Sequence, residues 1–122
     1  MARNRKKKRK YYLFSELDQE HQRAVVANLG RGAAKKTVWR LMSDFPVDQA
    51  AAIAWDTSLV IHDRDVESEV AQIEILGEVR RPVLIDQLHA LDVEDIWMEG
   101  KHRAIASEKL GLKTIPALVR IE

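Results

Sequence analysis

The stretch IWMEGKHRAIASEKLGLKTIPALVRI, residues 96–121, indicates how the chain folds. It opens with a short apolar run, Ile96 to Met98, and closes with a run rich in Ile, Val and Leu from Thr114 to Ile121; both predict strands. A glycine on either side brackets the segment from Lys101 to Leu110, which predicts a helix capped by glycine. A strand, a helix and a strand in this order predict a sheet with helices packed against it.

The residues just upstream continue this alternation. Ser58 to His62 predicts a strand, and a helix should follow, with Val66, Val70, Ile73 and Leu76 at helical spacing and an end at Gly77. The pair Arg81-Pro82 then opens a predicted strand from Val83 to Asp86.

The N-terminal part predicts helices. Leu17 to Leu29 and Ala33 to Ser43 have apolar residues at helical spacing, and Pro46 opens a third helix, since proline fits the first helical turn. We therefore expect an α+β fold in three parts: a disordered basic arm (1–12), a helical extension (13–56) and an α+β domain (57–122).

The formal net charge of +1 is unevenly distributed. Residues 1–10 hold seven basic groups and no acid, whereas residues 56–122 hold eight basic and fourteen acidic groups. A run so rich in cations stays in solvent, and such arms commonly bind nucleic acid. The predicted nucleic-acid contacts of the arm are Arg3, Arg5, Lys6, Lys7, Lys8, Arg9 and Lys10.

The first two predicted helices could also form a helix-turn-helix. The second would then present Lys36 and Arg40 to DNA. Two helices that only pack against each other explain the same spacing. Two alternatives to nucleic-acid binding by the basic arm remain: it is a solubility tail, or it docks on the acidic part of the chain.

Composition excludes several functions. The chain has no cysteine, so it has no disulfide, thiolate zinc site or thiol nucleophile. Its longest apolar run, Ala50 to Trp55, is six residues, far below the ~20 that span a bilayer. We expect a cytoplasmic protein without a membrane partner.

His21 and His89 are predicted to be surface residues.

The residues after Glu99 predict an anion site. Gly100 allows a sharp turn, and the amides of Lys101, His102 and Arg103 would then lie unpaired at the positive end of a helix dipole. The three side chains add donors for phosphate. An ordinary turn with basic residues in solvent is the alternative.

These residues resemble the ParB/sulfiredoxin superfamily, in particular its stand-alone ParB-like (ParB-like nuclease) domains. The resemblance lies in Arg81 to Ile85, in the Glu99 to Arg103 loop, and in the Leu-Gly-Leu-Lys-Thr-Ile-Pro segment from Leu110 to Pro116. It covers about residues 57–122 and implies a ParB/sulfiredoxin-like small mixed sheet. Members of this superfamily hold nucleotide phosphates in this loop, so the resemblance implies CTP or ATP as the ligand of Gly100, His102 and Arg103.

Departures from the family pattern narrow the expected function. Sulfiredoxins have cysteine where this chain has Lys101, which excludes their chemistry. The Gly-Glu-Arg-Arg loop and the following helix-turn-helix domain of the chromosome-segregation proteins are not found, so we do not expect a full CTP clamp. Kinase and nuclease relatives use acidic groups to bind magnesium or to act as a base. The candidates are Asp63, Asp65, Glu67 and Glu99, but helix caps and surface charge are the simpler explanation of these residues.

The sequence thus predicts a ParB-like, nucleic-acid-associated protein that binds a phosphate or nucleotide at Gly100 to Arg103. One alternative is a metal-dependent nuclease or an ATP-dependent phosphotransferase, with Glu99 and His102 as catalytic residues and magnesium as cofactor. The other is a catalytically inert protein-interaction module of a phage or plasmid. A homodimer is a further expectation, and the metal ligands stay unassigned.

Overall fold

A computed structural model describes residues 10–57 and 60–122. Over these residues the chain forms five strands and five α-helices. The strands are β1 (Tyr11–Leu13), β2 (Val38–Pro46), β3 (Val83–Asp86), β4 (Trp97–Glu99) and β5 (Thr114–Arg120). The helices are α1 (Gln19–Leu29), α2 (Arg31–Ala34), α3 (Val47–Thr57), α4 (Asp63–Leu76) and α5 (Lys101–Lys109). Two 3-10 turns lie at Phe14–Glu16 and Val93–Asp95. The predicted α+β class is confirmed.

All five strands lie in one mixed sheet, in the order β1-β2-β5-β3-β4. β3 and β5 are parallel, and the other neighbours are antiparallel. The connection from β3 to β5 runs through the edge strand β4 and helix α5. This connection places the start of α5 beside the last residue of β4, so that the Gly100 turn lies at one edge of the sheet.

Apolar side chains cover both faces of the sheet. On one face, residues of α3, α4 and α5 form a cluster with Ile85, Ala117 and Val119 of the strands. On the opposite face, Val25 of α1 packs in a second cluster with Trp39 of β2 and with strand leucines. A sheet buried on both faces has nearly continuous apolar strands, and β3 is buried at all four positions.

A buried ion pair lies in the middle of the second face. Arg120 Nη1 donates to Asp86 Oδ2 at 3.0 Å, and both side chains are largely buried. On the same face the rings of Trp39 and Trp97 meet edge to face, with centroids 6.1 Å apart. Loss of either charge would leave the other unpaired in a poorly solvated site.

The predicted helix from Ala33 to Ser43 is wrong. A single turn, α2, is followed by strand β2 from Val38 to Pro46. The pattern misled because β2 is apolar on both faces: Trp39 and Leu41 face one cluster and Met42 the other. A register irregularity between Met42 and Phe45 further obscures the alternation of a strand.

The predicted helical extension over 13–56 is also wrong. β2 lies inside that segment, and β1 and β2 pair into the same sheet as the C-terminal strands. Tyr11 and Tyr12, predicted to lie in the disordered arm, belong to β1. The arm residues 1–9 lie outside the described part of the chain.

The other predicted elements have mixed outcomes. α1, with its N-cap at Asp18, and α3, which follows Pro46, are confirmed, as are the helix ending at Gly77 and the C-terminal strand–helix–strand. The strand predicted for 58–62 is wrong at residues 60–62, which are not in a strand, and residues 58 and 59 are not described. Within 10–57 and 60–122, every helix is too short or too polar to cross a bilayer.

Candidate phosphate-binding cleft at the start of α5

Gly100 makes the turn from β4 into α5. Its φ of 98° lies in the left-handed region, which side-chain-bearing residues rarely adopt. A Cβ at this position would lie 2.8 Å from Arg103 Nη1 and 3.0 Å from Val83 Cγ1. Both conformation and space therefore require glycine at position 100.

The turn exposes the backbone amides that follow it. The first helical hydrogen bond of α5 runs from the amide of Ala104 to the carbonyl of Gly100. In the described part of the chain, the amides of Lys101, His102 and Arg103 have no acceptor, and no side chain caps them. Three such N–H groups and the positive end of the helix dipole favour an anion.

These amides lie beside a surface cleft of about 440 Å³. Residues of α1, α4, β4 and α5 line it together with Arg81, which precedes β3. The charged or ionisable lining residues are Glu20, Asp65, Glu69, Arg81, Glu99, Lys101, His102 and Arg103. The structure thus brings the four predicted phosphate-binding residues, Gly100 to Arg103, to one cleft.

The side chain of Arg103 is largely engaged by the protein itself. Arg103 is only 7% exposed. The guanidinium Nη1 donates to the carbonyl of Pro82 at 3.0 Å, and Nε donates to Glu69 Oε1 at 3.3 Å. Arg103 therefore joins α5 to α4 and to the segment before β3. Within the described residues its Nη2 has no partner, so this nitrogen alone is available to a ligand.

His102 is also held by the protein. Its Nε2 accepts a hydrogen bond from the backbone amide of His62 at 3.2 Å and lies 3.9 Å from Asp65 Oδ2. Burial lowers the pKa of His102 below its ordinary value, against the attraction of Asp65. A ring that accepts at Nε2 carries its proton on Nδ1, so His102 is a neutral hydrogen-bond donor rather than a free base.

Glu99 forms a buried pair with His21 of α1. Glu99 Oε2 and His21 Nε2 lie 3.1 Å apart in an off-axis contact, and neither atom has a hydrogen-bond partner in the described structure. Burial raises the pKa of Glu99, but the contact with His21 and the charges of Arg103 and Arg81 outweigh it, and the pKa is lowered. Glu99 is therefore an ionised carboxylate engaged with the core.

Arg81 closes the cleft on the α1 side. It pairs with Asp18 at 3.1 Å and with Glu20 at 3.0 Å. Burial acts against the charge of Arg81, but the hydrogen bonds to these two carboxylates raise its pKa. Burial alone would raise the pKa of Asp18. The hydrogen bonds from Arg81 and from the backbone of His21 outweigh burial, so the pKa of Asp18 is lowered. The network fixes α1 to the start of β3.

The cleft lining holds four carboxylates and three Lys or Arg side chains, and three of the carboxylates contact a basic side chain. Glu20 faces Arg81, Glu69 faces Arg103 and Glu99 faces His21. Of the lining carboxylates only Asp65, which is exposed, lacks a contact shorter than the 3.9 Å to His102. The donors left for a ligand include Lys101, the three amides and Arg103 Nη2.

Other predicted site residues lie elsewhere. Asp63 and Glu67 are exposed on α4 and do not line this cleft. In the described chain no three His, Cys, Asp or Glu side chains are arranged to hold a metal ion by themselves. Lys36 is exposed in the turn before β2, and Arg40 is exposed on β2. A strand at this position rules out the predicted helix-turn-helix.

Two residues of this region were not predicted. His21, predicted to be at the surface, is 1% exposed; His89 is exposed, as predicted. Leu17, His21 and Val25 are spaced four apart, which places His21 on the buried stripe of α1, so the periodicity held the necessary signal. Arg81 had no comparable signal, because its partners are more than sixty positions away in the sequence.

Comparison of the chain with protein-family models, with curated proteins and with solved structures finds no match.

Proposed function

We propose that this chain is a ParB-like, nucleic-acid-associated protein that binds a phosphate group, free or as part of a nucleotide, at the start of α5. The observation that carries the proposal is the set of three unpaired amides after Gly100, whose residues line a cleft large enough for a small molecule. Such a function needs a compartment that contains nucleotides and nucleic acid, which favours the cytoplasm.

The contacts around the cleft suggest how it would select its ligand. Glu20 and Glu69 lie in ion pairs with Arg81 and Arg103, so these two carboxylates do not repel a phosphate with a full charge. Lys101 adds a cation that forms no ion pair within the described residues. Magnesium that arrives with a nucleotide needs only one or two carboxylates besides the phosphates, and Asp65 could supply one.

Two sequence features support the nucleic-acid part of the proposal. Seven of the first ten residues are basic, a density typical of arms that bind polyanions. The Glu99 to Arg103 loop, with the strand before it and the helix after it, is the segment on which the resemblance to ParB-like domains rests.

The phosphate claim can be tested by isothermal titration with CTP, ATP, ADP and inorganic phosphate. Lys101→Ala should weaken binding about fivefold, the upper range for an exposed charge contact. The matched control is Lys109→Ala, at the opposite end of α5, which should bind like the unmodified chain. Absence of binding to all four compounds would remove the claim.

The nucleic-acid claim needs a separate test. Deletion of residues 1–10 should lower affinity for DNA and flatten its dependence on salt, because each lost phosphate contact removes released counterions. An unchanged affinity would show that the arm has no role.

The enzymatic alternative requires a free acid or base, and the contacts do not favour Glu99 or His102 in that role. Glu99 is engaged by His21, and His102 Nε2 is engaged by the amide of His62. Turnover of plasmid DNA or ATP with magnesium that is lost in Glu99→Gln or His102→Ala would restore the nuclease or phosphotransferase hypothesis. A chain that binds neither nucleotide nor DNA but forms a defined complex would be an interaction module.

A further inference from the structure

Among residues 10–57 and 60–122, no helix covers the part of the sheet around β1, where Tyr11 and Leu13 are exposed. In the register of the sheet, Tyr11 pairs with Arg40 and Leu13 with Val38, and Ile121 bonds to the carbonyl of Val38. The side chains of these five residues lie on the same face of the sheet as those that pack against α3, α4 and α5 at other positions of the strands. We call them the open sheet face.

Burial marks where the covered region ends. Val119, the partner of Arg40 on β5, is 8% exposed and belongs to the core cluster of this face. On the other side of β2, Tyr11 is 54% and Leu13 55% exposed. An aromatic ring and an aliphatic side chain thus stand in solvent on a flat surface of β-structure.

The arginine of this surface has no counter-ion among the described residues. Arg40 is exposed and, within 10–57 and 60–122, makes no ion pair and no side-chain hydrogen bond. Lys10 also makes none there, but its position opposite Leu41 places it toward the other face of the sheet. The neighbouring acids, Glu16 and Glu122, flank the opposite end, beside Leu13 and Val38. The Tyr11 end is therefore basic, and the sequence before Lys10 adds six more cations.

We propose that the open sheet face binds single-stranded nucleic acid, with a base stacked on the Tyr11 ring and the backbone phosphates held by Arg40. The inference rests on the proposed nucleic-acid association and specifies the kind of nucleic acid. An exposed ring beside cations on a sheet surface is an arrangement that binds unpaired bases, since every base has a face that can stack. In a duplex those faces are already stacked.

Charge makes other occupants less suitable. A second copy of the chain joined through the same face would place like charges together. A polyanion meets the uncompensated charge of Arg40 directly.

The test is fluorescence anisotropy of the full chain with a labelled single strand of about 12 nucleotides and with the duplex of the same length. The variants are Tyr11→Leu and Arg40→Gln. Their matched controls are Trp55→Leu, an exposed aromatic residue on α3, and Arg23→Gln, an exposed arginine on α1. Thermal melting checks that each variant is folded.

The single strand should bind more tightly than the duplex. Tyr11→Leu should weaken its binding about tenfold, the loss expected for one stacked base. Arg40→Gln should reduce the salt slope by about 0.7, the value for one phosphate contact on a single strand. The two controls should bind like the unmodified chain.

The failures are distinguishable. If Tyr11→Leu and Trp55→Leu bind the single strand with the same affinity, the inference is overturned. The inference is also overturned if Tyr11→Leu weakens the binding of single strand and duplex equally. Neither result removes the role proposed for the arm. No binding of either nucleic acid by the unmodified chain overturns the nucleic-acid part of the proposed function as well. A dimer of the unmodified chain in light scattering that Tyr11→Leu dissociates would assign this face to self-association instead.

Discussion

The cleft at Gly100 and the open sheet face both present cations, but they differ in how those cations are compensated. In the cleft Arg81 and Arg103 are held by carboxylates and a carbonyl, and the donors left to a ligand are mainly backbone amides. On the open sheet face the side chain of Arg40 has no partner in the described residues.

This difference predicts different ligands for the two regions. Fixed amides in a concave site recognise a small anion by geometry, because their positions are set before the ligand arrives. Mobile charged side chains on a flat surface attract a polymer by charge, and their affinity falls as salt rises. Changes that break one region should therefore spare the other.

The largest effect is expected for Gly100→Ala. The left-handed φ and the short distance to Arg103 should together destabilise the fold by about 2–4 kcal/mol and abolish phosphate binding. Urea denaturation and calorimetric titration measure the two effects. Oligonucleotide binding at the open sheet face should survive in the folded fraction.

Alanine substitutions at two other glycines distinguish the effect of the left-handed φ from the effect of the short contacts. Gly77 has a φ of 77° and open space around it, so Gly77→Ala should cost only the conformational part, about 1–2 kcal/mol. Gly32 has neither constraint, and Gly32→Ala in helix α2 should stabilise the protein by about 0.5–1 kcal/mol. Equal effects of all three substitutions would refute this account of the turn.

The next effect concerns the wall of the cleft. Glu99→Gln should destabilise the protein by about 1–3 kcal/mol, because His21 loses its charged partner in the core. The folded-state pKa of Glu99 is below its ordinary 4.5, so its contribution is present above that pH and is lost as the pH falls through the lowered value. Stability of the variant should therefore vary less with pH in the acid range.

Urea denaturation over an acidic pH series measures this dependence. The control is Glu67→Gln, an exposed glutamate of α4. If both variants follow the same pH curve as the unmodified chain, the His21–Glu99 pair does not support the fold.

A smaller effect should separate the two regions by salt. Oligonucleotide affinity should fall by a slope of about 0.7 for each phosphate contact, whereas the binding of inorganic phosphate at the cleft should change far less with salt. Titrations over a series of sodium chloride concentrations give both slopes. Identical slopes would mean that one site binds both ligands.

The smallest effect is expected for His102→Asn. Burial lowers the folded-state pKa of His102, so the unfolded chain binds the proton more readily and stability decreases as the pH falls below the ordinary value of 6.5. The variant should lose less stability than the unmodified chain between about pH 7.5 and about pH 5.5. Equal losses on urea denaturation would show that His102 does not titrate in this way.

The sequence predictions were accurate where residues mark the ends of an element, and they failed where a strand is apolar on both faces. In the C-terminal part, glycines and a proline mark the ends of elements, and the strand, helix and strand between residue 97 and residue 120 were predicted correctly. β2 was missed because a strand that is apolar on both faces resembles a helix in a single sequence. The pairing of β1 with β2, and so the open sheet face, depends on contacts between distant residues that no local pattern encodes.

The site was predictable only as far as local rules reach. The bare amides after Gly100 follow from a glycine between a strand and a helix. The partners of Arg103, Glu99 and Arg81 come from α4, α1 and the loop before β3, so their engagement required the tertiary structure. Arg103 shows the consequence: a residue chosen for phosphate binding is used mainly to hold the turn together.

The most direct test is a titration of the ¹⁵N-labelled chain with inorganic phosphate, followed by the amide resonances of Lys101, His102 and Arg103. We expect saturable shifts of these three resonances and unchanged resonances for Lys10 and Arg40. Resonances of Lys101, His102 and Arg103 that do not move in the folded protein would contradict the claim that the start of α5 binds phosphate.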